Sequence, residues 1–387
     1  MLEEKRIPYR IEKVNMRCYG EKPASFMRVQ PSGNIPVAVI DGQVYGQSND
    51  IMYALEQLFP DHKSLAAPKG QEMKAQELLR LERQIFSAWM YWLTSNGDPQ
   101  RFQQNFEMVL QDVESALAES GGPFFMGKSV TIVDMMFAPF LERMAASLLF
   151  FKGYMMRVPK GAKTQCPNVN KWFDAMETLD SYQTTKSDYY THCWDLPPQL
   201  GGCTYEERGE RYESAINGLR SLDGKQGSWE LPLQDGFESS GEPDWDWAGD
   251  ENAARREAVE RLSYNYEAIV KFASRGAGRK GMPPYMAVLS DPNAVPNEAV
   301  QTGIDSILQV ICMALLEGTE NYDDTMNKLA TAVVKEGGSD YADGIISSLS
   351  YLRERVGVPR DMKLPAARQL RAHLNWAISK VLTAQES

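Results

Sequence analysis

The fold is decided by residues 31–48, which read PSGNIPVAVIDGQVYGQS. The run from Ile35 to Ile40 is apolar and β-branched, which favours a strand. Asp41-Gly42 is a strong signal for a two-residue hairpin turn, so a second strand is predicted over residues 43–45. Ser48 then begins a helix. The stretch therefore predicts two hairpin strands followed directly by a helix.

Short elements also alternate on the N-terminal side of this stretch. Residues 2–9 are typical of the end of a helix, residues 10–16 of a strand, and residues 22–29 of one or two helical turns. The order helix, strand, helix, strand, hairpin strand, helix is α/β in character. Because a domain rarely begins on the tail of a helix, we expect further sequence in front of Met1.

On the C-terminal side, residues 70–185 show the spacing of helices throughout. Asp98 is predicted to cap a helix that extends to Glu119. Thr131 and Asp134 have the spacing of a capping box, which satisfies free amides at a helix start. The first of these helices carries an apolar stripe at steps of three and four residues, formed by Leu78, Leu81, Ile85, Trp89 and Trp92.

The rest of the chain changes composition twice. Residues 196–250 contain Gly and Pro pairs and many acidic side chains, so they are predicted to be an acidic linker or loop, pinned by Trp245 and Trp247. Residues 251–387 are helical again and predict a small bundle. Its apolar stripes are Ile304, Ile307, Ile311 and Leu315; Ile345, Leu349, Leu352 and Val356; and Leu370, Leu374, Ile378 and Val381. The predicted domains are therefore 1–62 (α/β), 70–195 (all-α), 196–250 (linker) and 251–387 (helical extension).

The charge balance argues against some classes of partner. The chain has 41 Lys and Arg against 52 Asp and Glu, a formal net charge of −11. Nucleic acids and anionic membranes are recognised by clustered cations, so neither is a predicted partner. No apolar run reaches the ~20 residues that span a bilayer. The charged start lacks the apolar core of a secretory signal, and five cysteines are few for a disulfide scaffold, so the cytoplasm is the expected compartment.

Several short motifs occur in a consistent order along the first half of the chain. They are Leu2–Tyr9, Lys22-Pro-Ala-Ser-Phe26, residues 31–37, Gln47-Ser48, Pro123-Phe-Phe-Met-Gly127, and Thr131-x-x-Asp134. Together they resemble the cytosolic glutathione transferase family, in particular its omega-like members. The resemblance covers residues 1–185 and implies a thioredoxin-like domain, here without its first strand, followed by an all-α domain. It also implies that Pro36 is the family's cis-proline.

The resemblance implies that glutathione is the co-substrate and that four residues bind it. Ile35 would pair its backbone with the cysteinyl unit, and Ser48 would offer a hydroxyl and helix-end amides to the γ-glutamyl carboxylate. Gln47 would accept from the γ-glutamyl ammonium, and Lys22 would pair with the glycyl carboxylate. Three of these residues also have a purely structural interpretation: Ser48 as a plain N-cap, Lys22 as a solvated surface lysine, and Ile35-Pro36 as a turn.

The resemblance further implies a reacting Cys, Ser or Tyr at the first strand–helix junction, a position that falls upstream of Met1. Either N-terminal sequence has been lost, together with any transit peptide to the plastid stroma, or the chain is a non-catalytic relative. The first reading predicts a glutathione-dependent transferase or thiol-disulfide reductase that acts on a small electrophile or disulfide, with a homodimer as its assembly. The second predicts a scaffold that holds a protein partner on the C-terminal bundle.

Other chemistry-bearing residues have plainer interpretations. His192, Cys193 and Cys203 lack the spacing of a zinc or redox site, so no metal is predicted. Cys18 is not predicted to be the nucleophile, and Cys312 is expected in a core. For a C-terminal basic cluster we favour a solvated helix face with internal salt bridges over an anion site. The basic cluster is Arg353, Arg355, Arg360, Lys363, Arg368 and Arg371. An aromatic set is predicted to be core rather than a co-substrate pocket: Trp89, Trp92, Phe140, Phe150, Phe151 and Tyr154.

Overall fold

A computed structural model describes residues 1–14, 21–243, 250–281 and 289–387 of the chain. The described residues fall into two compact units. Among the described residues, unit 1 contains those of Met1–Lys186 and Asp195–Gly209, and unit 2 contains Ser187–Trp194 together with residues 210–243, 250–281 and 289–387. Residues 187–194 thus belong with the C-terminal part of the chain. The predicted four-part division stays a prediction, and Cys18, Trp245 and Trp247 lie outside the described residues.

Unit 1 begins with short elements around one hairpin. They are α1 (Leu2–Lys5), α2 (Ala24–Val29), β1 (Ala38–Ile40), β2 (Gln43–Tyr45) and α3 (Ser48–Leu58). The strands are antiparallel and pair Ala38 with Tyr45 and Ile40 with Gln43. Between them Asp41 and Gly42 both have positive φ, 49° and 83°, as the twist of a two-residue hairpin turn requires. The predicted hairpin and its helix are confirmed.

The strand predicted over residues 10–16 is not formed in its described part. Residues 10–14 are irregular and mostly exposed, and residues 15 and 16 lie outside the described ranges. An isolated strand is not stable because its backbone groups need a neighbouring strand to pair with. The described sheet contains β1 and β2, and neither pairs with residues 10–14.

A small core and a buried ion pair hold α1 against α3. Ile7, Ile51 and Leu55 form the buried apolar cluster. Beside it, the ammonium of Lys5, with its side chain fully buried, lies 2.9 Å from the Glu56 carboxylate and donates to the Lys63 carbonyl at 2.9 Å. Ser64 and the Leu65 amide also donate to Glu56. These contacts fix the orientation of α3, and with it the position of Ser48.

The rest of unit 1 is helical, as predicted. Its helices are α4 (Glu72–Thr94), α5 (Pro99–Glu119), α6 (Ile132–Lys152), α7 (Pro167–Met176) and α8 (Asp180–Gln183); α9 (Tyr189–Leu200) follows and continues from unit 2 into unit 1. Asp98 caps α5 by accepting from two amides. The carboxylate of Asp134, which is fully buried, accepts from the Thr131 amide at 2.8 Å and from the Trp172 indole at 3.0 Å. Both predicted caps are confirmed.

Unit 2 is a helical bundle with its own core. Its helices are α10 (Glu210–Ile216), α11 (Phe237–Ser240), α12 (Glu251–Tyr264), α13 (Tyr266–Ala273), α14 (Gln301–Glu317), α15 (Asp323–Glu354), which is kinked at Gly338, and α16 (Leu364–Glu386). The three predicted apolar stripes are all buried in this core. Residues 210–243 also belong to unit 2, and Tyr212, Ile216 and Trp229 among them are buried.

One stretch in unit 2 passes a length-and-composition test for a membrane span. Residues Glu298–Glu317 have a mean hydropathy of 1.6, and 44% of the most apolar window is buried. Ile304, Ile307 and Ile311 in this stretch are fully buried against neighbouring helices. The core helix of a bundle passes the same test, and the packing here is that of a core helix.

Candidate functional site

The start of α3 carries polar groups that the protein leaves available. Gln47 is the N-cap and has an extended backbone (φ −135°, ψ 144°), but its side chain accepts no capping hydrogen bond. Ser48 is the first helical residue, and its hydroxyl has one weak contact, 3.5 Å to the side-chain oxygen of Asn49. Ser48 therefore does not act as the plain N-cap. The exposed hydroxyl and the first amides of α3 point to an anion site.

The loop before β1 brings Ile35 to the same end of the hairpin. The Ile35–Pro36 peptide bond is cis, as the family resemblance implies. Because Ala38 pairs with Tyr45, the chain just before β1 runs beside the chain just after β2, where Gln47 and Ser48 lie. Ile35 is 43% exposed, and its amide and carbonyl form no hydrogen bond with the described residues. The backbone of Ile35 is therefore free to pair with an extended ligand.

Lys22 lies against the same loop. Its aliphatic stem packs beside Gly33, at 3.6 Å from where a Cβ at that glycine would lie. Gly33 is two positions before Ile35 in the same loop. Within the described ranges the Lys22 ammonium has no ion pair or hydrogen bond. The structure thus places all four predicted residues around one end of the hairpin, Ile35 and Lys22 on the loop side and Gln47 and Ser48 on the helix side. We call Lys22, Ile35, Gln47 and Ser48 the hairpin-end site.

Sequence reasoning missed the buried pair that supports this site. Burial alone would raise the pKa of Glu56, but hydrogen bonds from Ser64, from Lys5 and from the Leu65 amide outweigh it and leave the pKa below its usual value. Glu56 is therefore ionised and paired at neutral pH. In the sequence, Lys5 is one of three charged residues in α1 and Glu56 one of two in α3, 51 positions away, so nothing local marks them as partners. Such a pair is not recognisable before the fold is known.

The described cysteines do not have the environment of a reactive thiol. Burial raises the pKa of Cys166 and Cys312 to about 11 and that of Cys203 to about 12. Cys312 packs against the core of unit 2, as predicted. Cys193 is buried, and Cys203 is a free thiol of intermediate exposure. Within the described ranges, no three His, Cys, Asp or Glu side chains gather as metal ligands would.

The prediction of a solvated face for the basic cluster is wrong for its innermost members. Arg371 is 1% exposed, donates to Asp188 at 2.7 Å and to the Val356 carbonyl at 2.7 Å, and lies 4.7 Å from the ring centre of Tyr190 and 4.8 Å from that of Trp229. Arg368 is also buried and binds the carbonyl of residue 234. Only Arg360 and Lys363 are exposed. The partners that bury Arg371 come from distant parts of the chain, which local spacing does not reveal.

Four of the six predicted aromatic side chains of the all-α part are core, whereas Phe140 and Tyr154 are half-buried. Trp89, Trp92, Phe150 and Phe151 are each 1% exposed. The two indoles are satisfied inside unit 1, Trp89 by Ser147 at 3.0 Å and Trp92 by Glu206 at 2.9 Å. These side chains therefore stabilise the helices and do not line an open pocket.

Two family models match the chain in the region that contains the hairpin-end site and the all-α part. "Glutathione S-transferase, N-terminal domain" matches residues 1–58, and "Glutathione S-transferase, C-terminal domain" matches residues 99–175. The first half of the chain is glutathione S-transferase-like. Its fold is a thioredoxin-like part with a small sheet followed by a helical domain, and unit 2 adds further helices.

Relatives from plants match about half of the chain's length. "Glutathione S-transferase DHAR2" of Arabidopsis thaliana is 28% identical over 186 residues, 48% of this chain and 79% of the relative. "Probable glutathione S-transferase DHAR2, chloroplastic" of Oryza sativa subsp. japonica is 28% identical over 184 residues, and the match spans 61% of that relative. The solved dehydroascorbate reductase of Chlamydomonas reinhardtii is 21% identical over 47% of this chain and 78% of its own, with a TM-score of 0.38.

Proposed function

We propose that the hairpin-end site binds glutathione and that the protein is a glutathione-dependent transferase or thiol-disulfide reductase. The observation that carries the proposal is the set of unpartnered groups at one end of the hairpin, on a chain whose relatives are named glutathione S-transferases. These relatives favour an enzyme over the alternative of a non-catalytic scaffold. The small electrophile or disulfide that would react with glutathione, and a homodimeric assembly, are part of the same proposal.

Each group at the hairpin-end site suits one part of glutathione. The Ser48 hydroxyl and the amides at the start of α3 would bind the γ-glutamyl carboxylate, since a helix N-terminus favours an anion. The Gln47 side-chain oxygen would accept from the γ-glutamyl ammonium. The amide and carbonyl of Ile35 would pair with the cysteinyl unit as a short extra strand. Lys22 would reach the glycyl carboxylate, so the tripeptide would lie extended across the end of the hairpin.

This assignment gives the four residues a binding role and leaves the thiol to another group. None of the four contacts is to the sulfur of glutathione, so a further group would have to stabilise its thiolate. A thiolate, not a thiol, attacks an electrophile or a disulfide.

The cytoplasm and the plastid stroma both remain proposals for the compartment of this protein, and one rice relative is named chloroplastic.

The binding claim is tested by calorimetry on the full chain with glutathione and with γ-glutamyl-alanyl-glycine, which lacks the sulfur. Because the four contacts hold the peptide frame, we expect saturable binding of both ligands with dissociation constants within about threefold of each other. No heat of binding from either ligand at millimolar concentration would refute the proposal. Binding of glutathione but not of the alanyl analogue would place recognition on the sulfur and refute the assignment of the four contacts.

A further inference from the structure

We infer that Gln30 is a positioning residue for the hairpin-end site. It lies at the C-terminal end of α2, where its amide donates to the Phe26 carbonyl at 2.9 Å. The inference rests on the proposed glutathione site and deepens it, because Gln30 itself carries none of the four contacts. Its role would be to hold together the two segments that carry those contacts, the loop before β1 and the turn after β2.

Gln30 bonds to both sides of the site. Its side-chain Nε2 donates to the Gly46 carbonyl at 3.3 Å, one residue before Gln47. Its backbone carbonyl accepts from the Gly33 amide at 2.9 Å, two residues before Ile35. One residue therefore ties the turn that leads into α3 to the loop that leads to the cis peptide. Neither hydrogen bond lies within a helix or the sheet, so regular secondary structure does not replace them.

The absence of a side chain at Gly46 makes this contact possible. A Cβ at Gly46 would lie 2.5 Å from Gln30 Nε2, closer than two unbonded atoms approach. The atom it would meet is the far end of a flexible side chain, so alanine at this position would displace the Gln30 amide without moving the backbone. Gly46→Ala therefore breaks the same hydrogen bond as a substitution of Gln30, from the opposite side.

The test is a double-mutant cycle on the full chain with Gln30→Met, Gly46→Ala and the double variant. Methionine keeps the length of glutamine and removes the donor. We expect each single variant to weaken glutathione binding by calorimetry about three- to tenfold, as the loss of one positioning hydrogen bond does. The double variant should be no weaker than either single, because both changes remove one interaction. Multiplied losses, or wild-type affinity in both singles, would overturn the inference.

Hydrogen exchange separates positioning from general loss of stability. Gln183→Met is the matched control, since Gln183 also donates to a backbone carbonyl, that of Glu177 at 2.8 Å, in the helical part of unit 1. We expect faster exchange at residues 46–50 in Gln30→Met than in Gln183→Met, with equal urea midpoints. If wild type binds no glutathione, the proposed function fails, yet faster local exchange would still support the positioning role. Unchanged exchange at residues 46–50 would overturn it.

Discussion

Two sets of polar side chains stand out in the sequence, and the structure uses them in opposite ways. At the hairpin-end site, the polar ends of Lys22 and Gln47 have no partner among the described residues, and Ser48 has one weak contact. In unit 2, Arg371 of the basic cluster is buried, paired with Asp188 and in contact with the rings of Tyr190 and Trp229. Charge that the protein has already paired maintains the fold, whereas polar groups beside open backbone remain available to a ligand.

The two regions also differ in how much core supports them. The hairpin-end site rests on a small buried cluster of Ile7, Ile51 and Leu55, helped by the Lys5–Glu56 pair. The two buried members of the basic cluster, Arg368 and Arg371, belong to a helix that packs into the large continuous core of unit 2. A lightly packed region opens at a lower free-energy cost, and binding sites are often found in such regions. The comparison predicts large effects on stability in unit 2 and effects on ligand affinity in unit 1.

The largest expected effect is from Arg371→Met. Removing the guanidinium leaves the buried Asp188 carboxylate without its cation, which costs about 3–5 kcal/mol of unfolding free energy. Urea denaturation followed by pulsed hydrogen exchange reports unit 2 separately from unit 1. The double variant Asp188→Asn, Arg371→Met should recover part of the loss, because it removes the stranded charge. A double variant as unstable as the single would show that the ion pair is not the cause.

A pH effect of on the order of 2 kcal/mol is expected from His373. Burial, with the nearby charge of Arg255, lowers the pKa of His373 to about 4, although the Gln369 carbonyl and Glu251 oppose the shift. The unfolded state, with a pKa near 6.5, binds the proton first, so stability is complete above pH 6.5 and is lost as the pH falls towards 4. Between pH 7 and pH 5, unit 2 should lose stability in wild type but not in His373→Gln. Parallel pH profiles would contradict the assignment.

Ser48→Ala should weaken glutathione binding about tenfold, because a hydrogen bond to the ligand carboxylate is charge-assisted. Calorimetry on the full chain measures the change. Ser115→Ala is the control, since Ser115 is an exposed helical serine that bonds only its own helix, at the Gln111 carbonyl. An unchanged affinity in Ser48→Ala would mean that the hydroxyl is not a ligand contact.

The smallest effect is expected from Lys22→Met. Lys22 is half-buried, and an ion pair that water still reaches contributes little, so the affinity should fall about two- to fivefold. The same pairing predicts that wild-type affinity falls as sodium chloride rises from 50 to 500 mM, and falls less in the variant. Lys128→Met, at an exposed lysine of the helical part, is the control. Identical salt dependence in Lys22→Met and wild type would remove Lys22 from the site.

Local chemistry explains which elements the sequence could predict. The hairpin follows from Asp41-Gly42, because a two-residue turn of this kind needs a positive φ at both positions and few residue types besides Gly, Asn and Asp adopt it readily. The cap at Asp134 depends on a partner three positions away. The helical stripes of unit 2 likewise repeat over short distances and are buried as expected. The four residues of the hairpin-end site came from family resemblance, and their binding role stays a prediction.

What the sequence could not reveal depends on distant partners. Residues 10–14 have the pattern of a strand but no strand to pair with in the described sheet. Arg371 meets Asp188 across 183 positions, so its burial follows only from the tertiary fold. The same contact helps to place residues 187–194 in unit 2 and not in the all-α part. Gln30 and Gly46, 16 positions apart, show no pattern that marks them as a pair.

Hydrogen exchange with and without saturating glutathione tests the central claim most directly, because one experiment compares both sets of polar residues. The account predicts slower exchange in peptides that cover residues 33–37 and 46–51, where Ile35 and the start of α3 would contact the ligand. It predicts no change in peptides that cover residues 353–371. Protection of the basic cluster, or no protection anywhere at millimolar glutathione, would contradict it.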